Sequence, residues 1–159
     1  MSRSTPAVTV SLVTWNGLEW LPCCLDSVAA QTLEDYELLI LDNGSTDGSV
    51  EWLRERAAAD ERIRLVESDV NLGYAPGHNR NIEAARGEAV LLLNQDVELD
   101  EGFLEAAVAA LGERPDVAAV QGLVWRLDGS GARTDVVDTA QALRVKEASD
   151  LIEKELDLL

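Results

Sequence analysis

Basic residues are scarce in this chain: 13 Lys and Arg stand against 30 Asp and Glu, a formal net charge of −17. Such a charge repels phosphate backbones and anionic headgroups, which argues against nucleic-acid binding or attachment to a membrane through a basic patch. It also constrains any anionic small ligand, which needs a cation or backbone N–H groups at its phosphates. Long apolar runs are missing. The strand-length segments Leu38–Leu41 and Val90–Leu93 fall far short of the roughly 20 residues that span a bilayer. Met1–Val8 has one Arg and no apolar core, so no signal peptide is expected and the location reads as cytoplasmic. Cysteine is limited to the adjacent pair Cys23 and Cys24, too few for a thiolate zinc site or a disulfide framework. The single histidine, His78, lacks metal-ligand spacing to another His or Cys. G-x-G-x-x-G after the first strand, G-x-x-x-x-G-K-[ST] and G-x-S-x-G are all absent, leaving dinucleotide, P-loop and serine-hydrolase readings without a motif.

What is present is a globular composition, 47% hydrophobic over 159 residues, enough for one domain with a sizeable core. Apolar, β-branched runs read as buried strands at Thr9–Thr14, Tyr36–Leu41, Ile63–Glu67, Ala89–Leu93 and Val117–Leu127. Between them, helical spacing links Leu18, Leu21, Leu25 and Val28, then Val50, Leu53 and Ala57. A long loop is expected over Ser68–Gly77, followed by a helix over His78–Arg86. A further helix bears Phe103, Leu104, Ala107, Val108 and Leu111, with Asp100 as a candidate cap, and Asp128–Gly131 reads as a turn. Strand–helix alternation with short loops predicts an α/β, mostly parallel sheet flanked by helices. From Thr139 the pattern changes: Val145, Ala148, Ile152, Leu156 and Leu159 step along an acidic segment as an amphipathic helix. This divides the chain into a domain over 1–138 and a C-terminal helix over 139–159. That helix is expected either to pack on its own domain or to pair with another chain, a second copy included, or with a missing remainder.

In parallel α/β sheets, ligands bind at the carboxyl ends of strands. The polar clusters Thr14–Asn16, Asp42–Asp47 and Asn94–Glu98 each follow a buried strand, so three loops are expected to converge on one crevice. Asp42 can accept from the N3–H of a uracil or thymine ring; equally, it, Ser45 or Asp47 can cap the next helix. Asn94, Asp96 and Glu98 share one face if strand geometry continues, and their oxygens suit Mg²⁺ or Mn²⁺. They also read as turn and cap residues. Asn71-Leu72-Gly73 reads as a turn with Gly73 at positive φ. Trp15 and Trp20 suit either a sugar face or half-buried packing.

Together these segments resemble family 2 glycosyltransferases. The resemblance runs through Val10–Asn16, Leu25–Ser27 with Gln31-Thr32, Leu41–Ser49, Asn71–Ala75 with Gly77 and Asn79, and Leu91–Glu98, in family order and spacing. DNGS and NQDVEL are similar to a bacterial rhamnosyltransferase-like branch that uses dTDP-rhamnose. The resemblance implies a Rossmann-like GT-A nucleotide-diphospho-sugar transferase fold, a UDP- or dTDP-linked sugar, a divalent metal, inverting transfer and a place in polysaccharide biosynthesis. It implies that Asp42 reads the base and that Thr14 and Asn16 line the nucleotide site. Gly73, Gly77 and Asn79 would shape the loop over ribose and diphosphate. Asn94 and Asp96 stand where the family carries D-x-D, with Asp96 as metal ligand. On this view Asp42 and Asp96 project from adjacent parallel strands. Two departures stand out. Asn94 replaces the first acid, and the general base and later Arg-Trp motif have no counterpart, so the catalytic base is unknown. A nucleotide-sugar-binding module without transferase activity is the alternative. A nucleotidyltransferase would need a Gly- and Arg/Lys-rich loop where this chain has Trp15-Asn16-Gly17-Leu18.

Overall fold

The computed structural model describes residues 5–113, 116–127 and 133–144. Ten elements alternate: β1 Val8–Thr14, α1 Leu21–Ala29, β2 Tyr36–Asp42, α2 Ser49–Ala59, β3 Ile63–Glu67, α3 Tyr74–Ala84, β4 Ala89–Asn94, α4 Phe103–Glu113, β5 Ala119–Leu127 and β6 Arg133–Arg144. They form one six-stranded sheet in the order β3-β2-β1-β4-β6-β5. The first four strands in that order are parallel, and β6 then pairs antiparallel with both β4 and β5.

The alternation of side chains along β1 splits the interior in two. Val8, Val10 and Leu12 join Leu21, Leu25 and Val28 of α1, Leu53 of α2 and Leu104 and Leu111 of α4 in the apolar core. On the opposite face Thr9 and Ser11 are fully buried yet polar. There the Asn81 amide of α3 donates to Ser11 Oγ at 3.0 Å and to the Leu39 carbonyl at 3.2 Å. Gly77 lets α3 approach this closely, because a Cβ there would lie 2.9 Å from Val13 and 3.1 Å from Leu41.

Several expectations are corrected. β1 lies between β2 and β4, so Asp42 and Asp96 do not come from adjacent strands. α3 begins at Tyr74, which places Gly77 inside the helix expected to start at His78 and ends the preceding loop at Gly73. Pro76 is tolerated there because it sits in the first turn. β6 runs through Arg144, so residues 139–144 are strand. Ala140, Gln141, Ala142 and Leu143 are good helix formers, but pairing with β4 and β5 overrides that preference. The rest of the expected C-terminal helix, 145–159, and the expected turn at 128–131 lie outside the described residues. Among the described residues, no helix is long and apolar enough to cross a membrane.

Candidate functional site

The sheet register brings the predicted site residues to one edge. Thr14 pairs with Asp42 across β1 and β2, and Val13 pairs with Asn94 across β1 and β4. Asp42 and Asn94 therefore flank the end of β1. The loops that follow, 15–20, 43–48, 68–73 and 95–102, contain no Lys or Arg.

Asp42 is 1% exposed. Its Oδ2 accepts the backbone N–H groups of Gly44 at 3.0 Å and Ser45 at 2.9 Å, which folds the chain sharply after β2. Gly44 adopts φ +78 at this corner. Its Oδ1 is buried without a hydrogen-bond partner in the protein. A buried unpaired carboxylate oxygen is costly unless a ligand donor reaches it.

The β1–α1 and β2–α2 loops clasp each other. Asn16, at φ 49, donates its backbone N–H to Ser45 Oγ at 2.8 Å, and its Oδ1 accepts from Thr46 N at 2.9 Å. Asp47 completes the clasp: Oδ2 accepts from Leu18 N at 3.0 Å, while Oδ1 takes the N–H and hydroxyl of Ser49. Burial raises the Asp47 pKa, but the Ser49 and Leu18 hydrogen bonds outweigh it and hold the carboxyl below its usual value. Asn43, 2% exposed, binds the third loop, donating to the Gly73 carbonyl at 3.2 Å and accepting from Leu72 N at 3.3 Å. Gly73 takes φ 89, the turn conformation expected of it. Asn79 lies half-buried in the second turn of α3, the helix that follows that loop.

The β4–α4 loop departs from the expected geometry. Strand structure stops at Asn94, and a turn closes with Val97 N donating to the Asn94 carbonyl at 3.3 Å. Period-two spacing therefore does not carry Asn94, Asp96 and Glu98 along one strand face. Asp96 and Glu98 are exposed. From below, α1 holds this loop. Ser27 Oγ accepts from Leu99 N at 3.0 Å, and the Gln31 amide bridges the Asp100 carbonyl and Leu104 N. Beside it, burial first, then the neighbouring Asp96 and Cys23 charges, push the Cys24 thiol up to about 12. Cys24 is thus a buried neutral thiol, and both cysteines are free.

Among the described residues, no group of three or more His, Cys, Asp or Glu could cage a metal. An exposed carboxylate beside an amide oxygen, with no basic side chain in the surrounding loops, still fits a hard cation that completes its shell with phosphate oxygens and water. Trp15 and Trp20 remain 52% and 49% exposed on the rim. The opposite edge of the sheet has a cleft of about 410 Å³ lined by Pro6, Glu34, Arg62, Arg64 and Arg86. It lies at the amino ends of the strands, where such sheets do not bind their ligands.

Sequence offers no role for Asn43, Ser49, Gln31 or Gln95, and for Asp47 only the helix-capping role, which its bond from Ser49 N fits. Asn43 and Asp47 sit in the polar run after β2, a visible signal. The reach of Gln31 and Gln95 to other elements leaves no trace in local pattern.

Four parallel strands flanked by helices and extended by an antiparallel pair, with carboxylates and amides gathered at strand ends, match the GT-A-type nucleotide-diphospho-sugar transferase fold. A solved relative, the mannosyltransferase PcManGT from Pyrobaculum calidifontis in complex with GDP-Man and Mn²⁺, superposes with TM-score 0.77 and 26% identity, over 93% of this chain and 47% of that one. S. aureus TarS 1–349 in complex with UDP shares the fold at TM-score 0.73 and 17% identity, over 91% of this chain and 48% of that one. The chain belongs to glycosyl transferase family 2, whose defining pattern matches residues 9–147. The putative glycosyltransferase EpsH of Bacillus subtilis is 30% identical over 71% of this chain and 33% of its own length. The PGL/p-HBAD biosynthesis glycosyltransferase of Mycobacterium bovis is 33% identical over 75% of this chain and 47% of its own. The chain thus spans a third to a half of the length of these relatives.

Proposed function

We propose that this chain is the donor-binding domain of an inverting glycosyltransferase that takes a UDP- or dTDP-linked sugar together with Mg²⁺ or Mn²⁺. The observation that carries the reading is the unpartnered, buried Oδ1 of Asp42 at the carboxyl end of β2. The two loop amides already fill Oδ2, so one acceptor atom remains. A pyrimidine N3–H offers one donor to match it. A guanine edge offers two and fits less well. The rhamnosyltransferase-like sequence DNGS…NQDVEL favours the dTDP form.

In this reading Asp96 ligates the metal and Asn94 contributes its amide oxygen or binds a ribose hydroxyl. Thr14 and Asn16 act through the loops they hold, and Gly73 shapes the loop beside the ribose. Gly77 and Asn79 support that loop from α3. The metal, when bound, supplies charge stabilisation to the departing diphosphate. Asp42 orients the nucleotide so that the anomeric carbon faces the acceptor side. The acceptor hydroxyl loses its proton to a carboxylate and attacks that carbon in line as the bond to diphosphate breaks. The location proposed is cytoplasmic, and any self-association is assigned to 145–159.

Calorimetric titration with UDP, dTDP and GDP, with and without Mn²⁺, tests the donor site. The reading expects pyrimidine diphosphates to bind more tightly than GDP, and Mn²⁺ to tighten that binding. Metal-independent affinity that Asp96→Ala leaves unchanged contradicts it. Sugar transfer assayed beside donor hydrolysis separates this reading from that of a binding module, which would hold the nucleotide and turn nothing over.

A further inference from the structure

The β4–α4 loop is fastened on two sides, and the second fastening is made by the residue between Asn94 and Asp96. The Gln95 side chain, one residue past β4, reaches across to the end of β1. Its Oε1 accepts the Thr14 hydroxyl at 2.5 Å and the Trp15 backbone N–H at 3.1 Å. It lies so close to Gly17 that a Cβ on that residue would come within 2.4 Å of Oε1 and within 2.6 Å of the Thr14 hydroxyl bonded to it. Thr14 in turn offers its carbonyl to Asn43 N at 2.8 Å, directly after Asp42. A continuous chain of bonds therefore runs from the Asp96 turn through Gln95 and Thr14 to the Asp42 corner. On the far side, Ser27 and Gln31 hold only the later part of the loop, at Leu99 and Asp100, and the start of α4 at Leu104.

We propose that Gln95 is a positioning residue that fixes the span between the base-reading corner at Asp42 and the metal turn at Asp96, so that nucleotide and cation bind as a coupled pair. The inference rests on the donor-site reading above. Without the tether, the turn at residues 94–97 keeps its own hydrogen bond but loses its register against β1. Each subsite then survives, while the energetic coupling between them falls. Gly17 belongs to the same device, because only a residue without a side chain leaves room for the Gln95 amide.

The quantity that reads this role is the factor by which Mn²⁺ tightens UDP binding, not the affinity itself. In Gln95→Ala that factor should fall about tenfold, within the usual range of site–site coupling, while metal-free UDP affinity changes by less than about twofold. Gly17→Ala leaves Gln95 in the sequence but forces its amide and the Thr14 hydroxyl apart, and should reproduce the loss. The Gly17→Ala/Gln95→Ala double variant should then be no worse than Gln95→Ala alone, as expected of residues acting as a unit. Thr14→Ser keeps the hydroxyl and should retain the coupling, whereas Thr14→Val should lose part of it. Circular dichroism melting of each variant monitors folding. If Gln95→Ala keeps the wild-type factor, or loses UDP affinity equally with and without Mn²⁺, the inference is overturned and the donor-site reading stands. If the wild-type chain shows no Mn²⁺ effect on UDP, the donor-site reading itself fails.

Discussion

The two ends of the sheet treat charge in opposite ways. At the amino end, acids and guanidiniums neutralise each other: Arg64 pairs with the buried Glu37 at 3.0 Å, Arg62 with Asp60 at 2.8 Å, and Arg62 also stacks on Tyr36. Glu37 additionally takes the Thr9 hydroxyl and the Arg86 backbone N–H. At the carboxyl end, apart from Glu67 of β3 with Arg54, Asp47 and the Oδ2 of Asp42 take backbone N–H and hydroxyl groups instead of cations, and the Oδ1 of Asp42 has no partner in the protein. One end is thus closed electrostatically and serves stability. The other keeps its negative charge uncompensated, which suits it to a metal–diphosphate pair and explains how so acidic a chain could hold an anion.

Variants at the two ends should separate along this line. The largest effect is expected for Asp96→Ala, which should abolish the Mn²⁺ dependence of UDP binding in calorimetry, weakening binding at least about tenfold, without lowering the melting temperature. Between the ends lies His78, 1% exposed, its Nδ1 against Ser11 Oγ at 2.8 Å and its Nε2 unpartnered. Burial lowers its pKa to about 4, below the usual 6.5. The neutral ring is the form the fold accepts, so its contribution is complete above pH 6.5. That contribution drains away as pH falls toward 4, a loss on the order of 3 kcal/mol. Urea unfolding at pH 7 and pH 4.5 should show this loss in the wild type and a smaller one in His78→Gln. At the amino end, Glu37→Ala should cost about 2 kcal/mol in urea unfolding, through the donors it strands, and leave UDP affinity unchanged. Arg54→Ala breaks only an exposed pair and should leave the melting temperature unaltered.

The apolar strands were legible because a parallel sheet covered on both faces demands unbroken hydrophobic runs, as in Tyr36–Leu41 and Ala89–Leu93. The convergence of Thr14, Asp42 and Asn94 followed from the rule for strand ends. Their lateral order did not, because nothing in local sequence states that β1 inserts between β2 and β4. Tyr74-Ala-Pro-Gly reads as loop from its Pro and Gly, yet Gly77 is there to let α3 press onto Val13 and Leu41. β6 was missed because its Ala, Gln and Leu residues prefer helix until cross-strand partners are counted. At the site, the orphaned Oδ1 of Asp42 and the Gln95 tether are matters of register between strands, and periodicity along one strand cannot report them.

Hydrogen exchange followed by mass spectrometry, with and without UDP and Mn²⁺, tests most directly whether the uncompensated end is the ligand end. Slower exchange is expected in segments 14–18, 43–47 and 95–98, with none gained around 34–37, 61–64 and 86. Protection that appears instead among those amino-end segments, beside Arg62, Arg64 and Arg86, would contradict the account.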